Sequence, residues 1–127
     1  MVSLEQKLRL SRDAEMKLIV VDGVFSMEGD LADLKGITQL AKKYNAVVMS
    51  DCAHAIGVIG DHGAGAASHF DVEDQVDLIG GTFSKSLASI GGFIASDAST
   101  VEYIKHNSRS LIFSASPMPA AVAAALA

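Results

Sequence analysis

Three polar side chains in this sequence have the types and the spacing needed to act on one small ligand: Asp51, His54 and Lys85. Asp51 and His54 follow the apolar run 46–49, and Lys85 follows the apolar run 76–79. A lysine amine in a desolvated pocket loses proton affinity and becomes a nucleophile towards carbonyl groups. A carboxylate at the end of a strand can hold a cation or a protonated ring nitrogen. The two groups are therefore candidates for the two ends of one site.

Each of these residues also has a purely structural interpretation. Asp51 is equally suited to cap a helix, because aspartate accepts hydrogen bonds from the free amide groups of the first turn. His54 could be a packed, hydrogen-bonded histidine, and Lys85 could be a solvated lysine after a loop. Position alone leaves these alternatives open, so the choice depends on which elements bring the side chains together.

Two common kinds of site do not fit the sequence. A zinc site would combine the only cysteine with three histidines: Cys52, His54, His62 and His69. Their spacing differs from the usual zinc pattern, in which ligands come in two close pairs. The segment before Lys85 is not a nucleotide-binding phosphate loop, because the two positions that require glycine hold Ile79 and Ser84. We therefore expect no metal and no nucleotide at these residues.

Composition excludes several classes of protein. The 127 residues are 50% hydrophobic and 20% charged, which is incompatible with an intrinsically disordered chain. The net charge of −5 leaves no basic patch for nucleic acid. The longest apolar stretch, 120–127, is too short to span a bilayer, and the polar N-terminus is not a signal peptide. With a single cysteine, the expectation is a cytoplasmic protein with no membrane-spanning segment.

The elements that must position the candidate residues follow from apolar patterning. Short apolar runs predict strands at 18–21, 46–49, 76–79, 92–95 and 111–113. Apolar residues three and four apart predict helices at 4–15, with Ser3 as its cap, at 32–44, at 98–107, and after Pro119. The alternation predicts an α/β fold with a mostly parallel sheet covered by helices on both faces. A Gly-rich loop is expected at 57–68.

In such a sheet, ligands bind at the carboxyl ends of the strands. The topology therefore gathers a carboxylate, a histidine, several hydroxyls and a lysine at neighbouring strand ends. Pyridoxal phosphate (PLP) needs this set, because a lysine holds the cofactor and an acidic residue pairs with its pyridinium nitrogen.

The chain resembles the α-oxoamine synthases, PLP-dependent enzymes of the aspartate-aminotransferase fold that condense an amino acid with an acyl-CoA thioester. Five segments carry the resemblance: 22–30 (DGVFSMEGD), 51–57 (DCAHAIG), 81–86 (GTFSKS), 91–93 (GGF) and 112–117 (IFSASP). Their order and spacing match those of the family along essentially the whole chain. Within the family, Gly81–Ser86 is most similar to the serine palmitoyltransferase branch.

The resemblance implies roles for seven residues. Lys85 would form the internal aldimine with PLP and shuttle the substrate α-proton. Asp51 would keep the ring nitrogen protonated, and His54 would contact the phenolic oxygen of the cofactor and help position the substrate. Ser26 would sit near that same phenolic oxygen, and Thr82 and Ser84 would contact the phenolic oxygen or the phosphate. Ser114 would reach the phosphate of the neighbouring subunit, which implies a homodimer with shared active sites.

The sequence departs from the family pattern at two positions. Cys52 stands where an acidic residue is usual, and Ala64 stands where the glycine loop usually has arginine. Family members are also much longer, so we expect residues 1–127 to be the central part of the large, PLP-binding domain. The N-terminal part and the C-terminal small domain are then absent.

Four alternatives remain beside a serine palmitoyltransferase-like enzyme. The protein could be another α-oxoamine synthase, such as an 8-amino-7-oxononanoate synthase or a glycine C-acetyltransferase, or an aminotransferase of the same fold. It could be a non-catalytic partner subunit, although the presence of Lys85 argues against this. Finally, the 127 residues could fold without turning over substrate on their own.

Overall fold

A computed structural model describes all residues from Met1 to Ala127. Six helices and four strands follow one another along the chain: α1 (Val2–Leu10), β1 (Leu18–Asp22), α2 (Leu34–Tyr44), β2 (Val47–Asp51), α3 (Ala66–His69), β3 (Leu78–Thr82), β4 (Gly92–Ala95), α4 (Ala98–Asn107), α5 (Arg109–Ile112) and α6 (Pro119–Leu126). Short 3₁₀ turns lie at 61–63 and 73–75. The region 57–68, predicted as loop, thus contains a 3₁₀ turn and the start of α3.

The four strands form one sheet in the order β1-β2-β3-β4. β2 pairs in parallel with both β1 and β3, and β4 pairs antiparallel with β3. The β1–β2 register places Asp22 opposite Asp51, so both strands end at the same edge of the sheet. The predicted α/β fold with a mostly parallel sheet is confirmed.

One face of the sheet carries the core. Helix α2 is preceded by Asp33, whose side chain accepts a hydrogen bond from Gly36 N at 3.0 Å and caps the first turn. Its apolar stripe includes Leu34, which is fully buried, and the same cluster contains Ile19 and Val48 from β1 and β2. Burial of these side chains holds α2 on the sheet.

The opposite face of the sheet is only partly covered by the helices of this chain. Side chains alternate between the two faces along a strand, so Leu18, Val20 and Asp22 project away from buried Ile19. Leu18 and Val20 are 54% and 60% exposed. The register with β1 and the same alternation place Asp51 on this open face as well.

The third strand lies further along the chain than the predicted 76–79. It spans Leu78–Thr82 and therefore includes two glycines that the sequence predicted to follow it. A Cβ atom on Gly80 would lie 3.2 Å from Met49 Cε, and one on Gly81 would lie 2.5 Å from the Phe93 ring. The glycines belong to the strand because neighbouring side chains occupy the space beside them.

Two further predictions were wrong at the level of single elements. The helix predicted at 4–15 ends at Leu10, and Ser3 lies within it while Met1 occupies the cap position. No apolar residue continues its buried stripe after Leu8, so further helical turns would bury nothing. The strand predicted at 111–113 is a turn of helix, because Phe113 N bonds to Arg109 O at 3.0 Å. A three-residue apolar run does not distinguish strand from helix.

Candidate active site

A tight turn after β2 presents Asp51 and His54. Asp51 is the last residue of the strand, and its Oδ1 accepts a hydrogen bond from Ala53 N at 2.9 Å. Cys52 and Ala55 are fully buried beneath the turn, whereas Asp51 and His54 are half-buried. The small buried pair fixes the turn on the core, and the polar pair faces the carboxyl edge of the sheet.

The structure brings Lys85 to His54. Lys85 lies three residues after the end of β3, and its Nζ is 2.6 Å from His54 Nε2. At this distance the two nitrogens share one hydrogen bond, so one of them donates a proton and the other accepts it. The surface-lysine interpretation of Lys85 is therefore incomplete, because the amine has a specific partner 31 positions away in the sequence.

Thr82 and Ser84 form a hydroxyl pair beside this lysine. The Oγ1 of Thr82 is 2.7 Å from Ser84 Oγ and donates a hydrogen bond to Gly91 O at 3.1 Å. Ser84 N donates to the same Thr82 hydroxyl at 3.2 Å. Strand alternation places Thr82 on the same face as Asp51, which aligns two candidate groups from neighbouring strands.

Ser26 and Ser114 are not bonded to the other candidates. Ser26 is exposed in the loop between β1 and α2. Ser114 is exposed after α5, where its hydroxyl donates to Ser110 O within its own segment. Within one chain, hydrogen bonds join His54 to Lys85 and Thr82 to Ser84, and the strand register places Asp51 at the same edge of the sheet. No bond of this kind links Ser26 or Ser114 to them.

Two residues of this edge were not singled out by sequence reasoning. Asp22 is an exposed carboxylate directly beside Asp51 in the pairing register. The sequence could have indicated it, because the apolar runs of β1 and β2 are each followed by an aspartate. Ser86 donates a hydrogen bond to the Ile56 carbonyl at 2.5 Å, which joins the lysine loop to the His54 turn. A hydrogen bond to a backbone carbonyl cannot be predicted from the type of the residue that carries the carbonyl.

The two departures from the family pattern lie in different environments. Cys52 is fully buried with its Sγ 3.5 Å from Ser50 Oγ, so it packs within the core. Ala64 is exposed in the turn before α3. Neither side chain takes part in the hydrogen bonds of the candidate site.

The surface of the chain has four cavities. The four surface cavities are lined by other segments, the first by Phe93, Ile94 and Val101 among others, and none includes Asp51, His54 or Lys85. The candidate site is therefore an open edge of the sheet within this chain. No group of three or more metal-binding side chains occurs. No helix has the length and apolarity needed to cross a membrane.

The fold and the candidate site define a class of protein: a mixed α/β domain with polar groups at the carboxyl edge of its parallel strands. The family described as aminotransferase class I and II matches residues 1–127, and the chain belongs to this family.

Named relatives narrow this assignment. The chain is 56% identical over 126 residues to a serine palmitoyltransferase of Sphingobacterium spiritivorum, covering 99% of this chain and 32% of that protein. It is 50% identical over 123 residues to an 8-amino-7-oxononanoate synthase of Thermosipho melanesiensis, covering 97% and 32%. The resemblance to the α-oxoamine synthases is thus confirmed. The chain spans about a third of the length of these relatives.

Solved structures agree with the sequence relatives. A high-resolution structure of SPT with the PLP internal aldimine superposes with a TM-score of 0.90 at 40% identity, covering 96% of this chain and 31% of that chain. A Sphingomonas wittichii serine palmitoyltransferase gives a TM-score of 0.90 at 38% identity, covering 96% and 31%.

Proposed function

We propose that the complete protein carrying this sequence is a PLP-dependent acyltransferase. It would join an amino acid to the acyl group of an acyl-CoA thioester with loss of carbon dioxide. Serine and a long-chain acyl-CoA are the proposed substrates, giving a 3-keto-sphinganine-type product of sphingolipid biosynthesis. The observation that carries the proposal is the 2.6 Å contact between Lys85 Nζ and His54 Nε2 at the edge that ends in Asp51.

The side chains at this edge fit the cofactor. Asp51 uses Oδ1 for the Ala53 amide, and no donor in the chain bonds to its Oδ2, which is free to accept from a protonated ring nitrogen. The Lys85 amine would hold the cofactor at its aldehyde carbon. When bound, the cofactor ring supplies an electron sink for the substrate α-carbon. Thr82 and Ser84 offer neighbouring hydroxyls for its phenolic oxygen or phosphate.

Lys85 and His54 would share the proton transfer. When it is not engaged with the cofactor, Lys85 Nζ would be placed to remove the proton from the substrate α-carbon. His54 Nε2, within hydrogen-bond distance of Nζ, would orient the amine towards that proton. Ser26 would approach the phenolic oxygen from the loop after β1.

The assembly proposed for the protein is a homodimer with shared active sites. Ser114 is exposed and lies outside the group of site residues in its own chain, which suits a hydroxyl that serves the neighbouring subunit. Residues 1–127 would form the central part of the large, cofactor-binding domain, and the proposed location of the protein is the cytoplasm.

Covalent trapping tests the role of Lys85. The complete protein is incubated with PLP, reduced with borohydride and digested, and the modified residue is identified by mass spectrometry. We expect the pyridoxyl group on Lys85 and not on Lys105, an exposed lysine paired with Glu102 on α4. A Lys85→Ala variant should lose the label. Labelling of wild-type protein only at other lysines would refute the assignment.

Substrate preference distinguishes the serine palmitoyltransferase assignment from the other α-oxoamine synthases. The main alternative is an 8-amino-7-oxononanoate synthase, because the chain is 50% identical to one such protein. Serine, glycine and alanine are assayed against short- and long-chain acyl-CoAs, and release of CoA is followed. We expect the highest kcat/KM with serine and a long-chain acyl-CoA. Preference for glycine with acetyl-CoA would contradict the proposal while leaving the PLP chemistry intact.

A further inference from the structure

The loop that carries Lys85, residues 83–91, has an internal framework of backbone hydrogen bonds, and its side chains bond to neighbouring segments, as Ser89 Oγ does to Ala121 O at 2.6 Å. Three backbone hydrogen bonds close it: Phe83 N to Gly91 O, Ser89 N to Phe83 O, and Ala88 N to Lys85 O. None of its residues is buried. The loop therefore has a defined internal shape, and none of its side chains is fully buried against the His54 turn, residues 52–59.

Two hydrogen bonds join this lysine loop to the His54 turn. One is the contact of Lys85 Nζ with His54 Nε2, and the other runs from Ser86 Oγ to the Ile56 carbonyl at 2.5 Å. The first bond involves the reactive amine, which must leave His54 when it acts on cofactor or substrate. The second bond involves no reacting atom, so it can persist throughout turnover.

The His54 turn is shaped to receive Ser86. Gly57 has a φ of +73°, a conformation that side chains rarely adopt. A Cβ atom on Gly57 would lie 2.9 Å from Ser86 Oγ and 3.1 Å from Ser86 Cβ. The absence of a side chain at Gly57 therefore allows the serine to approach the turn, so the contact is specified by residues on both segments.

We propose that Ser86 is a positioning residue that holds the lysine loop on the His54 turn while Lys85 Nζ is engaged elsewhere. The inference rests on the proposed function, because it takes Lys85 as the reacting amine. Ser86 acts through the Ile56 carbonyl and makes no contact with the reacting groups. Its role is to keep Lys85 within reach of His54 between successive proton transfers.

Matched variants of the complete protein test this proposal. Ser86→Ala removes the hydroxyl, and Ser86→Thr retains it. Gly57→Ala adds a Cβ atom that would push Ser86 away from the turn. Ser96→Ala is the control, because Ser96 Oγ also donates to a backbone carbonyl, that of Asp77 at 2.6 Å, but away from the site. Circular dichroism verifies that each variant is folded.

The first measurement is hydrogen exchange by mass spectrometry without cofactor. We expect amides of residues 83–91 to exchange about fivefold faster in Ser86→Ala and Gly57→Ala, as for the loss of one hydrogen bond. Ser86→Thr and Ser96→Ala should match wild type in this loop. Equal acceleration in strand β2 would indicate general destabilisation and would overturn a positioning role.

The second measurement is the rate at which PLP plus borohydride labels Lys85. We expect a fall of about fivefold in Ser86→Ala and recovery in Ser86→Thr. Wild-type rates of both exchange and labelling in Ser86→Ala would overturn the inference. Should Ser86→Ala not fold, Gly57→Ala decides the question by the same two rates. Absence of Lys85 labelling in wild type would refute the proposed function instead. The exchange data would still show whether Ser86 holds the lysine loop on the His54 turn.

Discussion

Within residues 1–127, the segments before and after Gly80 differ in how they are held. All 19 buried residues lie between Leu8 and Gly80, and none lies in residues 81–127. Asp51 and His54 stand on the packed segment, whereas Thr82, Ser84 and Lys85 belong to the unpacked one. The candidate site is thus assembled across a boundary between a core and a segment held by hydrogen bonds and by the pairing of β3 with β4.

This difference assigns the two halves of the site different sensitivities. The position of Asp51 depends on buried apolar side chains, whose loss affects the whole fold. The position of Lys85 depends on individual polar contacts, such as that of Ser86 with the Ile56 carbonyl. Substitutions before Gly80 should therefore change global stability, while substitutions after it should change local order.

The largest expected effect tests the packed segment. Leu34 is fully buried at the start of α2, so Leu34→Ala should lower the free energy of unfolding by about 2–5 kcal/mol. Leu126→Ala, at a side chain that is 82% exposed, should change it by no more than about 0.5 kcal/mol. Urea denaturation of the 127-residue chain, to which these exposures apply, measures both. Similar losses in the two variants would break the comparison between the segments.

Much of the packed segment was predictable from the sequence. Helix α2 shows apolar residues three and four apart behind a capping aspartate, and β1 and β2 are β-branched runs between polar residues. The limits of β3 were not predictable, because two consecutive glycines, Gly80 and Gly81, are typical of a loop. They lie in the strand because the side chains of Met49 and Phe93 occupy the space beside them. Local preference fails where a neighbouring strand decides the conformation.

The placement of the candidate residues at one edge of the sheet was predictable from the sequence, but the contacts between them were not. Parallel strands end at one edge, so Asp51, His54 and Lys85 could be grouped from their places after apolar runs. The hydrogen bond of Ser86 could not be anticipated, because its acceptor is the backbone carbonyl of Ile56. The identity of residue 56 does not indicate whether its carbonyl accepts a hydrogen bond. The turn geometry that exposes that carbonyl depends on packing.

An intermediate effect tests the unpacked segment. The Asp97 carboxylate caps α4 by accepting from Ser99 N at 2.9 Å and Thr100 N at 3.0 Å, and hydrogen bonds from both residues lower its pKa. Because α4 has no buried residue, Asp97→Ala should speed amide exchange in residues 98–107 about fivefold. Exchange in β2 should not change.

Asp97→Asn is the matched control for this cap. Asparagine is also a favoured capping residue, so the variant should exchange much more slowly than Asp97→Ala within 98–107. Acceleration that spreads from α4 into the core strands would contradict the distinction between local and global effects.

The smallest effect concerns a polar contact on the packed segment itself. Glu5 accepts hydrogen bonds from Lys43 Nζ at 2.7 Å and from the Tyr44 hydroxyl at 2.9 Å, which fasten α1 to α2. These bonds, that from Lys43 first, lower the pKa of Glu5 from 4.5 to about 2. A carboxyl whose pKa is lower in the folded state stabilises the fold above pH 4.5 and loses that contribution as pH falls towards 2.

We therefore expect amides of α1 to exchange faster at pH 3 than intrinsic rates explain, and Glu5→Gln to show less of this acid sensitivity. The difference should be modest and should shrink in high salt, because the groups are near the surface. Glu15→Gln is the control, since Glu15 is exposed and has no hydrogen-bond partner. An unchanged acid profile in Glu5→Gln would show that buried Leu8, and not the ion pair, holds α1 in place. Apolar burial alone would then account for the whole packed segment, which would make its contrast with residues 81–127 sharper.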